Sequence, residues 1–102
     1  MYRRRACALH GSYSAQVLRF EWDDAKNAEN MRKHRVAFEE AETVFYDDRG
    51  VLKTKALIGL GASLRVLVVC HTYRRREQVI RLISARRANR AERADYETSW
   101  KR

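Results

Sequence analysis

The stretch LRVLVVCHTYRRREQVIRLISAR, residues 64–86, constrains the fold more than any other. It holds two runs rich in Val, Ile and Leu, separated by the charged quartet RRRE at 74–77. β-Branched side chains are stiff and pack well on a pleated surface. Two such runs around a short polar break read as an antiparallel hairpin, with strands over 64–73 and 78–86. A chain of 102 residues has room for one modest core, and 64–73 is the best strand in it.

The other elements arrange themselves around it. LRFEW (18–22) alternates and predicts a short strand. Asp23 or Asp24 can cap a helix running to about His34, with a thin apolar stripe of Ala25, Ala28 and Met31. FEEAETVFY (38–46) predicts a second helix whose buried face is Phe38, Ala41, Val44 and Phe45. Its Glu39, Glu40 and Glu42 suit the positive N-terminal end. VLKTKALIGL (51–60) predicts one strand, with Gly59 and Gly61 marking its exit. Asn89 caps a last helix, and Glu92 stands at the spacing of a capping box. The order β-α-α-β-β-β-α gives an α+β class with a small antiparallel sheet and flanking helices. With no proline and no linker, residues 18–102 read as a single domain. Residues 1–17 read as a loosely ordered basic arm, or as an extra start upstream of the domain.

Charge is distributed unevenly. Residues 1–20 carry four arginines and no acid. Residues 21–52 carry five basic and nine acidic residues, and residues 53–102 carry thirteen basic and four acidic. A basic half beside an acidic patch suggests an anionic partner, nucleic acid first. The bland alternative, an arginine-loaded surface, explains total charge better than segregation. Cys7 and Cys70 form no C-x-x-C pair, and His10, His34 and His71 are far apart in sequence, so structural zinc or a disulfide framework is not expected. No apolar run approaches the roughly 20 residues that span a bilayer, and the arginine-rich start has no apolar h-region. Two scattered thiols suit a reducing cytosol.

Four stretches in this order and spacing carry a family likeness: FEWDDAKNAENMRKH (20–34), FEEAETVFYD (38–47), LRVLVVCHTYR (64–74) and VIRLISARRANRAERADYE (79–97). The last, I-S-A-R followed by E-R-x-x-Y-E, is the most specific. The chain resembles the BrnT family of type II toxins, small ribonucleases of RelE-like fold held inactive by the DNA-binding antitoxin BrnA. Two departures stand out. Arg35 and Ala37 replace a glycine and a serine usual in the family, so a left-handed helix end and a helix cap are both given up. After Asp48 the chain runs straight into VLKTKALIG, where relatives generally carry a longer hairpin segment with D-x-x-H and G-E-x-R-type stretches.

Ribonuclease chemistry needs a proton acceptor, a proton donor and cations around the phosphate. The basic half has no acidic cluster for Mg²⁺, so a route without metal or cofactor is expected. His71 is the only histidine on a predicted strand and is the acid–base candidate; a histidine merely hydrogen-bonded to its neighbours is equally compatible. Arg86 and Arg87 stand just before a helix N-terminus, where a phosphate is favoured, unless they pair with Glu92 or Asp95. Arg86 and Arg81 join His71 as catalytic candidates. Arg65, Tyr73, Arg74, Arg76, Ser84 and Arg87 are candidates for holding RNA, Tyr73 by base stacking. Tyr96, Trp100 and Trp22 read as core before site. If the turn centres on Arg75 and Arg76, His71 faces Ile80, Arg65 faces Arg86, and Ser84 and Arg86 share the face of His71. A one-residue bulge would instead move Arg81 beside His71.

The resemblance implies a cytoplasmic bacterial ribonuclease toxin that inhibits translation. It implies a hetero-oligomer with a BrnA-like antitoxin, RNA as substrate, operator DNA reached only through the antitoxin, and no membrane partner. The rival reading is a toxin-derived module that binds nucleic acid or antitoxin without cleavage, its chemistry lost with the shortened segment.

Overall fold

The computed structural model describes residues 2–8, 17–53, 55–74, 76 and 78–100. In chain order these form β1 (Tyr2–Ala8), β2 (Val17–Asp23), α1 (Asp24–His34), α2 (Phe38–Ala41) running into a 3-10 turn (Glu42–Tyr46), β3 (Val51–Lys53), β4 (Ala56–Leu60), β5 (Val66–Arg74), β6 (Val79–Arg87) and α3 (Arg90–Trp100). One six-stranded sheet, ordered β1-β2-β6-β5-β4-β3, runs through the fold.

The α+β class holds, and the sheet departs from expectation in three places. Residues 2–8, expected in a loose arm, pair antiparallel with β2 from Tyr2↔Asp23 to Ala8↔Val17, because β2 is otherwise an open edge. Residues 9–16 of that arm lie outside the described residues. The single strand expected over 51–60 is a hairpin of β3 and β4, registered Val51↔Ile58 to Lys53↔Ala56. The sheet is not wholly antiparallel either: β2 meets β6 in parallel, Arg19↔Val79 to Glu21↔Arg81. α1, α2 and three further strands lie between these two in sequence, which is room enough for the crossover a parallel pair requires.

Face A of the sheet carries the main core. Phe20, Trp22, Leu67, Val69, Ile80, Leu82 and Ala85 meet Val36, Phe38, Ala41 and Val44 there. The second helical segment therefore buries the predicted face, although it tightens from α to 3-10 after Ala41. Phe45 packs edge-on against Phe20 at 5.4 Å, and Trp22 against Phe38 at 5.9 Å. Face B carries a smaller cluster, Ile58, Val68 and Tyr96, covered by α3. Trp22 and Tyr96 are thus core residues, while the Trp100 side chain lies outside the described residues. The Tyr96 hydroxyl donates to the Asp47 carboxylate, which also accepts the Leu60 N–H at 2.8 Å and so fastens the 3-10 turn to β4 and α3.

α1 does not dock by the predicted stripe. Ala25 and Ala28 are exposed and Met31 is 48% exposed. Its inner side is polar: Asn27 and Asn30, one turn apart, point at the body. Asn30 is buried and reads both backbone groups of Ala85, donating to its carbonyl at 2.7 Å and accepting its N–H at 3.0 Å. It also donates to the Val36 carbonyl at 2.8 Å. The β2–β6 pairing reaches only to Arg81, so the Asn30 amide completes the ladder at Ala85, beyond the reach of β2.

Both devices given up at residues 35 and 37 are recovered. Asp23 caps α1, accepting the Ala25 N–H at 2.9 Å. Arg35 itself takes the left-handed conformation, φ 58°, and its N–H reaches the Met31 carbonyl at 2.9 Å. Ala37 offers no cap to α2; Asn27 substitutes, its Oδ1 accepting the Phe38 N–H at 2.8 Å while its Nδ2 donates to Glu39 at 3.0 Å. A non-glycine residue in the left-handed region costs about 1 kcal/mol. Arg35→Gly is therefore expected to raise stability by about 0.5–1 kcal/mol in urea unfolding, since the bond made by the Arg35 carbonyl survives the change.

Candidate nucleic-acid interface

The register of the central hairpin decides which cations meet. β5 and β6 pair Leu67↔Arg87, Val68↔Arg86, Val69↔Ala85 and Cys70↔Ser84. A bulge between Cys70 and His71 then shifts the register to His71↔Leu82, Thr72↔Arg81, Tyr73↔Ile80 and Arg74↔Val79. The expected pairing of His71 with Ile80 is corrected by two residues. The turn is wider than a two-residue loop centred on Arg75 and Arg76, and Gln78 takes φ 54° to close it.

Directly opposed residues share a face, so the site candidates divide into two groups. Arg74, Arg81, Ser84 and Arg86 lie on face B with Cys70 and Thr72. His71, Tyr73, Arg65 and Arg87 lie on face A, the helix-covered side. Ser84 and Arg86 therefore do not share the face of His71, contrary to the expected register. Arg76 is exposed in the turn, and Arg75 lies outside the described residues.

On face A, His71 and Arg65 are already engaged. The His71 ring is half-buried, edge-on to Phe45 with centroids 4.8 Å apart, and its Nδ1 lies 3.1 Å from the Val69 carbonyl oxygen. Arg65 bonds Glu40, Ser63 at 3.1 Å and the Arg35 carbonyl at 3.1 Å. Burial pushes the Glu40 carboxyl up, but hydrogen bonds from Arg65 and Ser63 outweigh it and leave the group below the ordinary carboxylate range. Arg65 thus ties α2 to the β4–β5 loop. Tyr73 is 56% exposed near the hairpin end, where a base could stack.

On face B the β2–β6–β5 region gathers guanidinium groups around one carboxylate that sequence reasoning passed over. Glu21 is 1% exposed, and Arg74 donates to it at 2.6 Å. Arg81 stands opposite Glu21 across the parallel pair and is half-buried. The signal for Glu21 was its place in LRFEW: a carboxylate between two apolar residues of a strand must face the other side of the sheet. Nothing local revealed that Arg74, 53 positions on, would meet it there.

Arg86 takes the local pairing that the sequence left open. Both prongs of its fork meet Glu92, each at 2.8 Å. Glu92 also accepts the Asn89 N–H at 2.9 Å while Asn89 accepts the Glu92 N–H at 2.9 Å, a reciprocal capping box. The Arg86 hydrogen bonds, with the Asn89 backbone N–H adding to them, hold the Glu92 carboxyl down to about 2, against the upward push of burial. A carboxyl lowered on folding stabilises the protein above its unfolded value and loses that contribution as pH falls through the folded value. Stability is therefore expected to drop by about 1–2 kcal/mol as pH falls from roughly 4.5 towards 2, discounted because Arg86 is 43% exposed. Glu92→Gln should flatten that part of the pH–stability curve.

No group of three or more His, Cys, Asp or Glu suited to a metal ion occurs among the described residues, and no helix among them is long and apolar enough to cross a membrane. The arrangement can bind an anion by charge and by the arginine fork.

Residues 22–92 match the family model described as ribonuclease toxin, BrnT, of type II toxin-antitoxin system. Among solved structures, the Brucella abortus ribonuclease toxin BrnT aligns at 22% identity and a TM-score of 0.49, covering 68% of this chain and 94% of that one. No curated protein matches.

Proposed function

This chain belongs to the BrnT family of ribonuclease toxins of type II toxin–antitoxin systems, and from that premise we propose that it cleaves RNA, with the arginine-bearing part of face B holding the substrate. The observation that carries the reading is the convergence of Arg74 and Arg81, from different strands, beside the buried Glu21. Guanidinium groups held in place before substrate arrives stabilise charge developing on a phosphate without reorganising. Glu21 fixes the direction of Arg74. Arg86, at the other end of β6, is available to a phosphate that displaces Glu92.

The donor set supports a metal-independent route: among the described residues, this region of face B offers guanidinium groups and one arginine-bound carboxylate, not a carboxylate cluster that would hold Mg²⁺. A type II toxin has an antitoxin partner, here of BrnA-like character, which neutralises the chain and carries any operator binding. The cytoplasm of a bacterium is the compartment and arrested translation the outcome.

The test is incubation of purified protein with total RNA, with and without EDTA, and with and without the antitoxin encoded beside it. Cleavage that persists in EDTA and stops on adding antitoxin is the expected result. A folded protein that binds the antitoxin but leaves RNA intact would replace this reading with that of a non-cleaving, toxin-derived module.

A further inference from the structure

Three exposed residues sit in a backbone conformation that L side chains resist: Gln78, which closes the β5–β6 turn at φ 54°, Arg35 at φ 58° and Leu64 at φ 67°. Leu64 closes the three-residue loop of the β4–β5 hairpin, where Gly61 donates to the Arg65 carbonyl and Leu64 to the Gly61 carbonyl, both at 2.9 Å. Loops of this shape favour glycine at the left-handed position. Here a leucine stands, 79% exposed and outside both core clusters. The conformational cost is not offset by burial within the chain. Strain held at the surface in this way marks a place where another molecule supplies the missing contacts.

Two of these positions, Arg35 and Leu64, are joined through Arg65. Arg65, next to Leu64, donates from Nη2 to the Arg35 carbonyl at 3.1 Å. Beside Arg35, α1 leaves an open groove of about 500 Å³ lined by Met31, Arg32 and Arg35. Met31 is 48% exposed there. None of the described residues forms an ion pair with Arg35, and Arg32 and Lys33 share the single carboxylate of Glu29. Apolar anchors with a surplus of cations around them describe a protein-docking surface better than a phosphate track, which needs cations without exposed leucine and methionine.

We infer that this end of the molecule docks the antitoxin, through a segment that places an apolar side chain between carboxylates. The inference rests on the antitoxin partnership proposed above. Charge selects this occupant over a second copy of the chain, since a two-fold pairing would set Arg32 and Arg35 against the same cationic patch.

The experiment measures affinity for the antitoxin encoded beside this chain by titration calorimetry, with thermal unfolding of each variant. Leu64→Gly is expected to raise the melting temperature, by relieving strain, while weakening binding at least about tenfold; a merely structural role would not give these opposite signs. Arg35→Glu and Met31→Asp should each weaken binding by about 10- to 100-fold. Leu52→Asp, on the exposed part of β3, should bind within about twofold of wild type. If wild type binds and Leu64→Gly and Arg35→Glu bind equally well, the surface is wrong and the partnership stands. If wild type itself binds no antitoxin, both fall. Loss of RNA binding in Arg35→Glu with antitoxin affinity unchanged would also overturn the inference, assigning the surface to RNA.

Discussion

Replacing Asn30 by leucine is expected to destabilise the protein by about 3–5 kcal/mol, the largest effect of any single substitution outside the apolar core. The side chain is of similar size, so lost volume is not the cause. Asn30 makes three hydrogen bonds, two of them to the backbone of Ala85 where β2 no longer runs alongside β6. Leucine would leave the Ala85 N–H and carbonyl and the Val36 carbonyl buried without this partner, each at about 1–3 kcal/mol. Asn30→Asp keeps the shape and the acceptor but turns a carboxylate towards two carbonyl oxygens. It should be nearly as damaging at pH 7 and recover part of the loss on acidification, when the carboxyl gains a proton to donate. Urea unfolding at pH 7 and pH 4 separates the two effects. Wild-type stability in Asn30→Leu would mean that the amide does not complete the ladder.

The second large effect concerns cleavage. Arg81→Ala is expected to slow RNA cleavage by about 10²–10³ while leaving the circular dichroism spectrum unchanged, because one group aimed at developing charge is lost. Arg81 stands on face B opposite Glu21 and beyond the bulge that fixes its direction. His71→Ala is the decisive comparison. Its imidazole lies across the sheet, against Phe45. Its removal should lower stability more than it lowers the rate per folded molecule. If instead the folded His71→Ala variant loses cleavage and Arg81→Ala retains it, the chemistry belongs to face A, and the arginines of face B serve binding alone.

How far these sites were legible in the sequence depends on the range of the contacts that make them. The capping box at Asn89 and Glu92 spans three residues, and its side chains find each other whatever the rest of the chain does. The Arg86–Glu92 pair spans six and stood as one of two readings. Alternation along β5 correctly placed Arg65, Leu67, Val69, His71 and Tyr73 together, since a strand has a fixed period of two. What failed was pairing between strands. A single bulge residue reversed the faces of Ser84 and Arg86 relative to His71, and nothing in either strand alone encodes that bulge. The polar inner side of α1 was missed for a related reason. Asparagine reads as surface until a backbone edge 55 residues away requires its amide.

The sequence by itself determined the α+β class, the β5–β6 hairpin, the capped ends of α1 and α3, the buried face of the second helical segment and the family. These follow from periodicity, capping chemistry and motif order, all local along the chain. Only the tertiary structure decided the parallel junction of β2 with β6 that sets Arg81 opposite Glu21, the bulge, and the meeting of Glu21 with Arg74. It alone also joined Arg35 and Leu64 through Arg65. Each of these contacts joins residues far apart in sequence, where loop closure and shared burial, rather than local preference, select among pairings that a single strand or helix leaves equal.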